Sequence, residues 1–268
     1  MRIVVVGGTG VLGRRVMAAA ERAGHRTVAI SRATGFDLLA PDSPAGAEAL
    51  TAELAGADAV IDAVNQVTQR RRQAVERFTA IARRVVAAAA SAGVPRYVQT
   101  SIVGVDRPGL ARMGYYQGKL AAERAAVQTA RLTGSDLQVQ IVRSTQWYEF
   151  AELMLDRLGI GPVRFAPRML VQPVAAASVA ELLLAVADGR VSGPAEPPDG
   201  ASVLEIGGPD QYPLGELMRR VSQADGRRPL LIPAPVPGAA AAGAGALLPG
   251  PDAIIDDIRL DDWLATRP

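Results

Sequence analysis

The sequence predicts an α/β protein, a doubly wound parallel sheet with a small C-terminal lobe. Three observations carry that reading. The β-branched run Ile3-Val4-Val5-Val6 ends in Gly7-Gly8-Thr9-Gly10-Val11-Leu12-Gly13 and passes directly into a helical segment. Strand-like and helix-like segments then alternate to about residue 145, the pattern of βα units that builds a parallel sheet covered on both faces. The chain has 268 residues, 49% of them apolar, enough for one large core or for one core with a smaller lobe.

Taken in order, strand-like runs occupy residues 2–6, 27–31, 58–62, 96–101 and 138–143, with helical patterns at 11–23, 45–55, 70–92 and 114–133 between them. A short extra strand is expected to end at Asp37. Right-handed crossovers place the carboxyl ends of the strands along one edge, where ligands bind. Beyond them the rhythm loosens. Gly189–Gly200 reads as a surface loop, and Ala239–Leu248 as a packed helix bounded by prolines. Residues 1–145 therefore read as a nucleotide-binding domain, and 146–268 as a C-terminal substrate-binding part interleaved with it.

Bulk properties exclude several classes. The net charge is only +2, and no basic face for nucleic acid stands out: Arg70-Arg71-Arg72 opens a helix and reads as a solvated helix end. The chain has no cysteine and one histidine. His25 lies between a helix and a strand and reads as structural, so no zinc site is expected. Lack of cysteine fits a reducing cytoplasm. The first strand begins at residue 2, leaving no room for a leader, and no apolar run approaches the ~20 residues of a membrane span. A cytoplasmic protein without nucleic-acid or membrane partners is expected.

The glycine turn has the order of a dinucleotide site. Gly7 allows the sharp turn, Gly10 lets backbone approach a pyrophosphate, and Gly13 lets helix pack on strand. The turn residues Thr9, Val11 and Leu12 lead into the first helical turn, whose unpaired N–H groups face the phosphates. At the end of the second strand, Arg32 offers a planar donor fork suited to a ribose 2′-phosphate, with Ser31 adding a hydroxyl. An acidic residue there would favour NAD, so NADP(H) is the expected cofactor. Asp37, followed by Leu38, is placed either to accept from an adenine amino group or to cap its loop. After the strand ending at Asp62, small residues such as Ala63 let a cofactor lie close, and Asn65 is placed to hold either the ribose or its own loop.

The candidate chemistry lies mid-chain. Tyr97-Val98-Gln99-Thr100-Ser101 is a strand ending in hydroxyls, and Tyr115-Tyr116-Gln117-Gly118-Lys119 places Tyr115 and Lys119 on one helix face. An unperturbed tyrosine titrates near pH 10; a nearby ammonium is expected to stabilise its phenolate and to hold a ribose hydroxyl. Ser101 or Thr100 would hold a substrate oxygen. Further on, Ser144-Thr145-Gln146-Trp147-Tyr148-Glu149-Phe150 is expected to follow the cofactor toward its nicotinamide. Trp147, Tyr148 and Phe150 either line a pocket for a flat apolar ligand or anchor the C-terminal part.

These motifs resemble the short-chain dehydrogenase/reductase superfamily, and within it the atypical and extended branch of NmrA-like and isoflavone-reductase-like NAD(P)-binding proteins. The resemblance rests on the glycine turn, Ser31-Arg32, Gly56-Ala57-Asp58-Ala59-Val60, Val94-Pro95-Arg96-Tyr97-Val98, Tyr115 with Lys119, and Val142-Arg143-Ser144-Thr145. It implies a Rossmann-type domain with NADP(H), Tyr115 as proton donor or acceptor, Lys119 as its modulator and Ser101 or Thr100 as oxygen holder. Helices in that superfamily often pair between subunits, as in a homodimer, but no stripe in this sequence demands it, and the oligomeric state is left open. The expected activity is NADPH-dependent reduction of a carbonyl or conjugated alkene in a small apolar or aromatic molecule. Two alternatives stand beside it: a nucleotide-sugar epimerase or dehydratase, against which Arg32 counts, and a non-catalytic NADP(H)-sensing regulatory protein, against which the Tyr115–Lys119 pair counts.

Overall fold

The computed structural model describes residues 1–40, 44–66, 68, 70–194, 201–235 and 240–267. Its first stretch is a regular βα alternation. β1 (Arg2–Val6) leads to α1 (Val11–Arg22), β2 (Arg26–Ile30), α2 (Pro44–Leu54), β3 (Ala59–Asp62), α3 (Arg71–Ser91), β4 (Arg96–Ile102), α4 (Gly114–Thr133) and β5 (Gln138–Ser144). There follow α5 (Glu149–Arg157), β6 (Gly159–Ile160), β7 (Val163–Pro167), β8 (Leu170–Val171), α6 (Ala176–Ala187) and β9 (Ser202–Gly207). The chain continues through β10 (Tyr212–Pro213), α7 (Leu214–Ala224), β11 (Leu230–Ala234), α8 (Ala240–Gly243), β12 (Ile254–Ile255) and α9 (Leu260–Ala265).

Seven strands form one sheet in the order β12-β9-β5-β4-β3-β1-β2. β1 pairs in parallel with β2 on one side and with β3 on the other. The chain thus runs outward from β1 to β2 and then returns to β1's other edge. The crevice at the carboxyl ends of β1 and β3 is the topological switch point, where open α/β sheets bind ligands. Central strands have both faces covered, which is why Ile3 to Val6 and Ala59 to Ile61 are near-continuous apolar runs with no exposed surface.

By contact the chain divides into two compact units. One comprises residues 1–101, 114–143 and 179–204; the other comprises 102–113, 144–178 and 205–268. The first has its core where Val4, Val6, Val60, Tyr97, Val139 and Ile141 meet apolar residues of α2, α3 and α4. α3 and α4 lie unusually close: a Cβ on Gly118 would stand 2.6 Å from the Phe78 ring and 2.9 Å from the Ala74 methyl. The second unit holds two small sheets, β11-β7-β6 and β10-β8, and α7, which buries Leu214, Leu217, Met218 and Val221.

Three expectations are corrected or limited. No strand ends at Asp37. Its carboxylate accepts the Leu39 N–H at 2.9 Å, and the Ala40 N–H donates to its carbonyl at 3.1 Å, a local turn that competes with strand pairing. The helix expected over Ala239–Leu248 is only α8, ending at Gly243; beyond it the N–H of Ala246 returns to Ala241 and that of Leu248 to Gly245, so the segment closes into turns. Ala239 itself lies outside the described residues, as does the expected Gly- and Pro-rich loop from residue 195 to 200.

Candidate active site

β1 ends at Val6, and Gly7 turns the chain with φ of +79°, a left-handed conformation that disfavours a side chain. The turn is held by its own backbone: Gly7 N–H donates to Ile30 O at 2.7 Å, Gly8 N–H to Val5 O at 3.1 Å and Gly10 N–H to Gly7 O at 2.8 Å. A Cβ on Gly13 would stand 2.1 Å from Gly7 O, so only glycine lets the first turn of α1 rest on the loop. Gly10 has ordinary extended backbone and lies exposed with Thr9 and Val11. The N–H groups of Val11, Leu12 and Gly13, which no helix can satisfy from within, begin at this exposed end. Arg14, a further candidate positive charge, instead folds back to donate to Thr9 O.

At the end of β2, Ser31 and Arg32 open a short 3₁₀ turn, Arg32–Thr34. Arg32 is exposed. Ser31 N–H donates to Thr34 Oγ1 at 2.9 Å, and that hydroxyl donates to Ala29 O at 3.0 Å, which rigidifies the turn from which Arg32 projects. Asp37 is exposed and turned onto its own loop, whereas Leu38 packs against the core. The loop after β3 passes directly beside the glycine turn: a Cβ on Gly7 would meet Ala63 O at 3.0 Å and Val64 N at 3.1 Å.

That loop and the end of β4 receive the two candidate side chains of α4, Tyr115 and Lys119. Tyr115 donates its hydroxyl to Asn65 Oδ1 at 2.9 Å, with its ring edge-on to Phe78 and Tyr116. Lys119 is buried and donates to Val64 O and to Thr100 O, both at 3.1 Å, with its ammonium 5.0 Å from the centre of the Phe78 ring. The expected lowering of the Tyr115 pKa by Lys119 is not what this arrangement does. The ammonium is directed at two carbonyls, and burial pushes the phenol well above the ordinary tyrosine range, with Tyr116 adding to the shift and the Asn65 bond opposing it. A phenol so placed remains protonated, the state a proton donor requires.

Thr100 and Ser101 close β4. Both are buried, and neither Thr100 Oγ1 nor Ser101 Oγ has a hydrogen-bond partner. Buried hydroxyls are ordinarily satisfied. As neighbours in a strand they point to opposite faces of the sheet, and it is the carbonyl of Thr100 that receives Lys119.

Sequence reasoning passed over two neighbours. Asp62, the last residue of β3, is buried at 4% exposure. It accepts the Tyr97 hydroxyl at 2.7 Å and the Val64 N–H at 2.9 Å. Burial raises its pKa, against the opposing effects of the Lys119 charge and of the two hydrogen bonds. A carboxylate closing an apolar strand was the available signal. A second one was plainer: Lys119 is the only lysine among 29 basic residues.

In the second unit the aromatic turn is arranged differently. Ser144 is buried, and its Oγ accepts the Trp147 Nε1–H at 3.0 Å. Tyr148 has no exposed surface; its hydroxyl donates to Ile258 O at 3.0 Å and its ring stacks on Trp263 with centres 5.3 Å apart. It anchors the C-terminal segment and is not available as a pocket wall. Trp147 and Phe150 retain partial exposure.

Among the described residues no group of three His, Cys, Asp or Glu side chains could hold a metal ion, and no helix is long and apolar enough to cross a membrane. The parallel sheet with a glycine turn at its switch point defines a Rossmann-type α/β protein. Residues 1–127 match the family model of the NmrA-like family. The match covers a little under half of the chain. Among solved structures, MoeE5 in complex with UDP-glucose and NAD superposes with a TM-score of 0.71 at 18% identity, covering 99% of this chain and 97% of that one. TunA, an NAD-dependent NDP-hexosamine 5,6-dehydratase involved in tunicamycin biosynthesis, gives 0.67 at 17% identity over 98% and 95%. The UDP-N-acetylglucosamine 4-epimerase from Bacillus cereus gives 0.62 at 17% identity over 90% and 91%. At these identities the likeness is one of fold. None of the curated proteins matches the chain in sequence.

Proposed function

We propose that the protein is an NADPH-dependent oxidoreductase that reduces a carbonyl or conjugated alkene of a small apolar or aromatic molecule. The observation that carries this reading is that Tyr115 and Lys119 are both bonded to the loop that packs on the glycine turn, with Lys119 also bonded to the carbonyl of Thr100, whose hydroxyl has no partner. A nicotinamide dinucleotide fits the residues present. The first-turn N–H groups of α1 would take its pyrophosphate. Arg32 and Ser31 would take a 2′-phosphate, and Ala63 and Asn65 would border a ribose. When bound, such a cofactor supplies the hydride.

The chain's own residues supply the rest. Tyr115 gives its phenolic proton to the substrate oxygen as hydride reaches carbon, and recovers one from solvent. A hydroxyl of Ser101 or Thr100 donates to the same oxygen and polarises it. Lys119, whose ammonium is fixed on Val64 O and Thr100 O, would hold a ribose hydroxyl.

A second reading is favoured by the fold neighbours, whose names specify nucleotide-sugar epimerases, dehydratases and reductases. In it the substrate is a nucleotide sugar and the cofactor NAD. Arg32, in place of an acidic residue after β2, supports the first reading over the second. Oxidation of NADPH on a panel of quinones, enones and aromatic aldehydes, followed by absorbance for wild type and Tyr115→Phe, tests the proposal. Turnover by wild type that the variant loses supports it. Conversion of UDP-sugars without net NADPH consumption transfers the site to the second reading. Cofactor binding with no turnover on either panel leaves a sensor.

A further inference from the structure

Twenty-eight of the chain's 29 basic side chains are arginine, and the single lysine is buried. The position explains the side chain. A compact ammonium directs its protons at Val64 O and Thr100 O and faces the Phe78 ring, whereas a guanidinium presents a wide planar fork. The position also makes the charge expensive. Burial alone pulls Lys119 below the ordinary lysine range, and Asp62 and then Glu123 act against that pull.

The charged and titratable groups around the ammonium can be named element by element. β3 contributes Asp62 and β4 contributes Tyr97. α4 itself carries Tyr115 and Glu123; α3 contributes the Phe78 ring; β5 contributes Arg143, which pairs with Glu123. Glu123 already has a cation of its own, since Arg143 donates Nε and a terminal nitrogen to its two oxygens at 3.0 and 2.7 Å. Asp62 has no cation bonded to it among the described residues, and its oxygens are held by Tyr97 and by the Val64 N–H. Val64 is also the residue whose carbonyl accepts the Lys119 hydrogen bond, so one residue ties anion and cation to the same loop.

We propose that Asp62, clamped by Tyr97, is a positioning residue that supplies the buried negative charge keeping Lys119 an ammonium beside Tyr115. Its value to catalysis rests on the reductase reading above; the coupling of the two charges does not.

The test exploits the single lysine. Full-length chain labelled with ¹³Cε-lysine gives one lysine resonance, whose shift is followed against pH by NMR. Asp62→Asn is expected to lower the lysine midpoint by about one unit or more, a tenfold or greater loss of proton affinity, as removal of a nearby opposite charge does. Tyr97→Phe keeps the carboxylate but frees it, and moves the midpoint the same way by less; it decides the matter if Asp62→Asn does not fold. An unmoved midpoint overturns the proposal, as does a larger fall in Glu123→Gln than in Asp62→Asn. Calorimetry with NADPH on the same samples separates the two claims. A coupled lysine in a chain that binds no dinucleotide removes the reductase reading and leaves Asp62 in its role. A chain that binds NADPH with an uncoupled lysine does the reverse.

Discussion

The α4 face that carries Tyr115 and Lys119 and the turn that carries Trp147, Tyr148 and Phe150 both looked functional, and the structure treats them in opposite ways. Around α4, polar atoms are buried without being used up: Thr100 Oγ1 and Ser101 Oγ have no partner, and the only lysine is held among carbonyls, a carboxylate and a ring. In the aromatic turn the polar atoms of two rings find partners within the same unit, Trp147 on Ser144 and Tyr148 on Ile258, and the Tyr148 ring stacks on Trp263, although the buried Gln146 Oε1 beside them has none. Aromatic concentration signals packing when its polar handles are satisfied, whereas unsatisfied buried hydroxyls signal a ligand. The ring contacts make the second region an anchor, while chemistry on the first is the proposal made above.

Mutations can break or sharpen this contrast. The largest effect is expected from Trp263→Ala, which removes the partner of Tyr148 and should destabilise the protein by roughly 3 kcal/mol in urea unfolding. NADPH affinity should survive below the transition. Loss of cofactor binding without loss of stability would reverse the assignment of that region.

Tyr115→Phe should lower turnover by about a hundredfold or more while the melting temperature stays close to that of wild type. A variant with unimpaired turnover would remove Tyr115 as the proton source.

Lys119→Met carries a pH signature. The folded-state pKa of Lys119 is depressed, so between that value and the ordinary lysine value the unfolded chain binds more protons than the native one. Stability contributed at this site therefore rises with pH across the window. The stability difference between wild type and Lys119→Met should shift in favour of wild type as pH rises through the alkaline range. A flat difference would show that the lysine titrates alike in both states.

The smallest effect is expected from Tyr148→Phe. Loss of the Ile258 bond should cost about 1 kcal/mol of stability and leave turnover unaltered. A fall in turnover would return Tyr148 to the substrate pocket.

What could be read from sequence was what neighbouring residues decide among themselves. The β1–glycine turn–α1 unit is such a case, because strand, turn and helix start are specified within a dozen residues, and Gly13 has to rest on Gly7 a few residues away. Tyr115 and Lys119 share a helix face by spacing alone, but where their polar ends go depends on a loop fifty or more residues earlier, and it is burial that raises the phenol, against the Asn65 bond. The Tyr97–Asp62 bond needs the parallel register of β3 on β4, and the Tyr148–Trp263 stack joins residues from opposite ends of the second unit. Asp37 failed as a strand end for a local reason, its own turn. Position on the chain suggested the dinucleotide edge, whereas the division of labour among the aromatic residues was tertiary.

The account rests most directly on the nucleotide that the glycine turn and Arg32 would accept, and calorimetric titration of wild type and Arg32→Ala with NADPH and NADH tests it. The account predicts that wild type binds NADPH in preference, and that Arg32→Ala loses roughly tenfold or more of its NADPH affinity while NADH binding is unchanged. Equal affinity for both, or a preference for NADH, would contradict the role given to Arg32 and favour the nucleotide-sugar reading. Binding of neither would contradict the account as a whole.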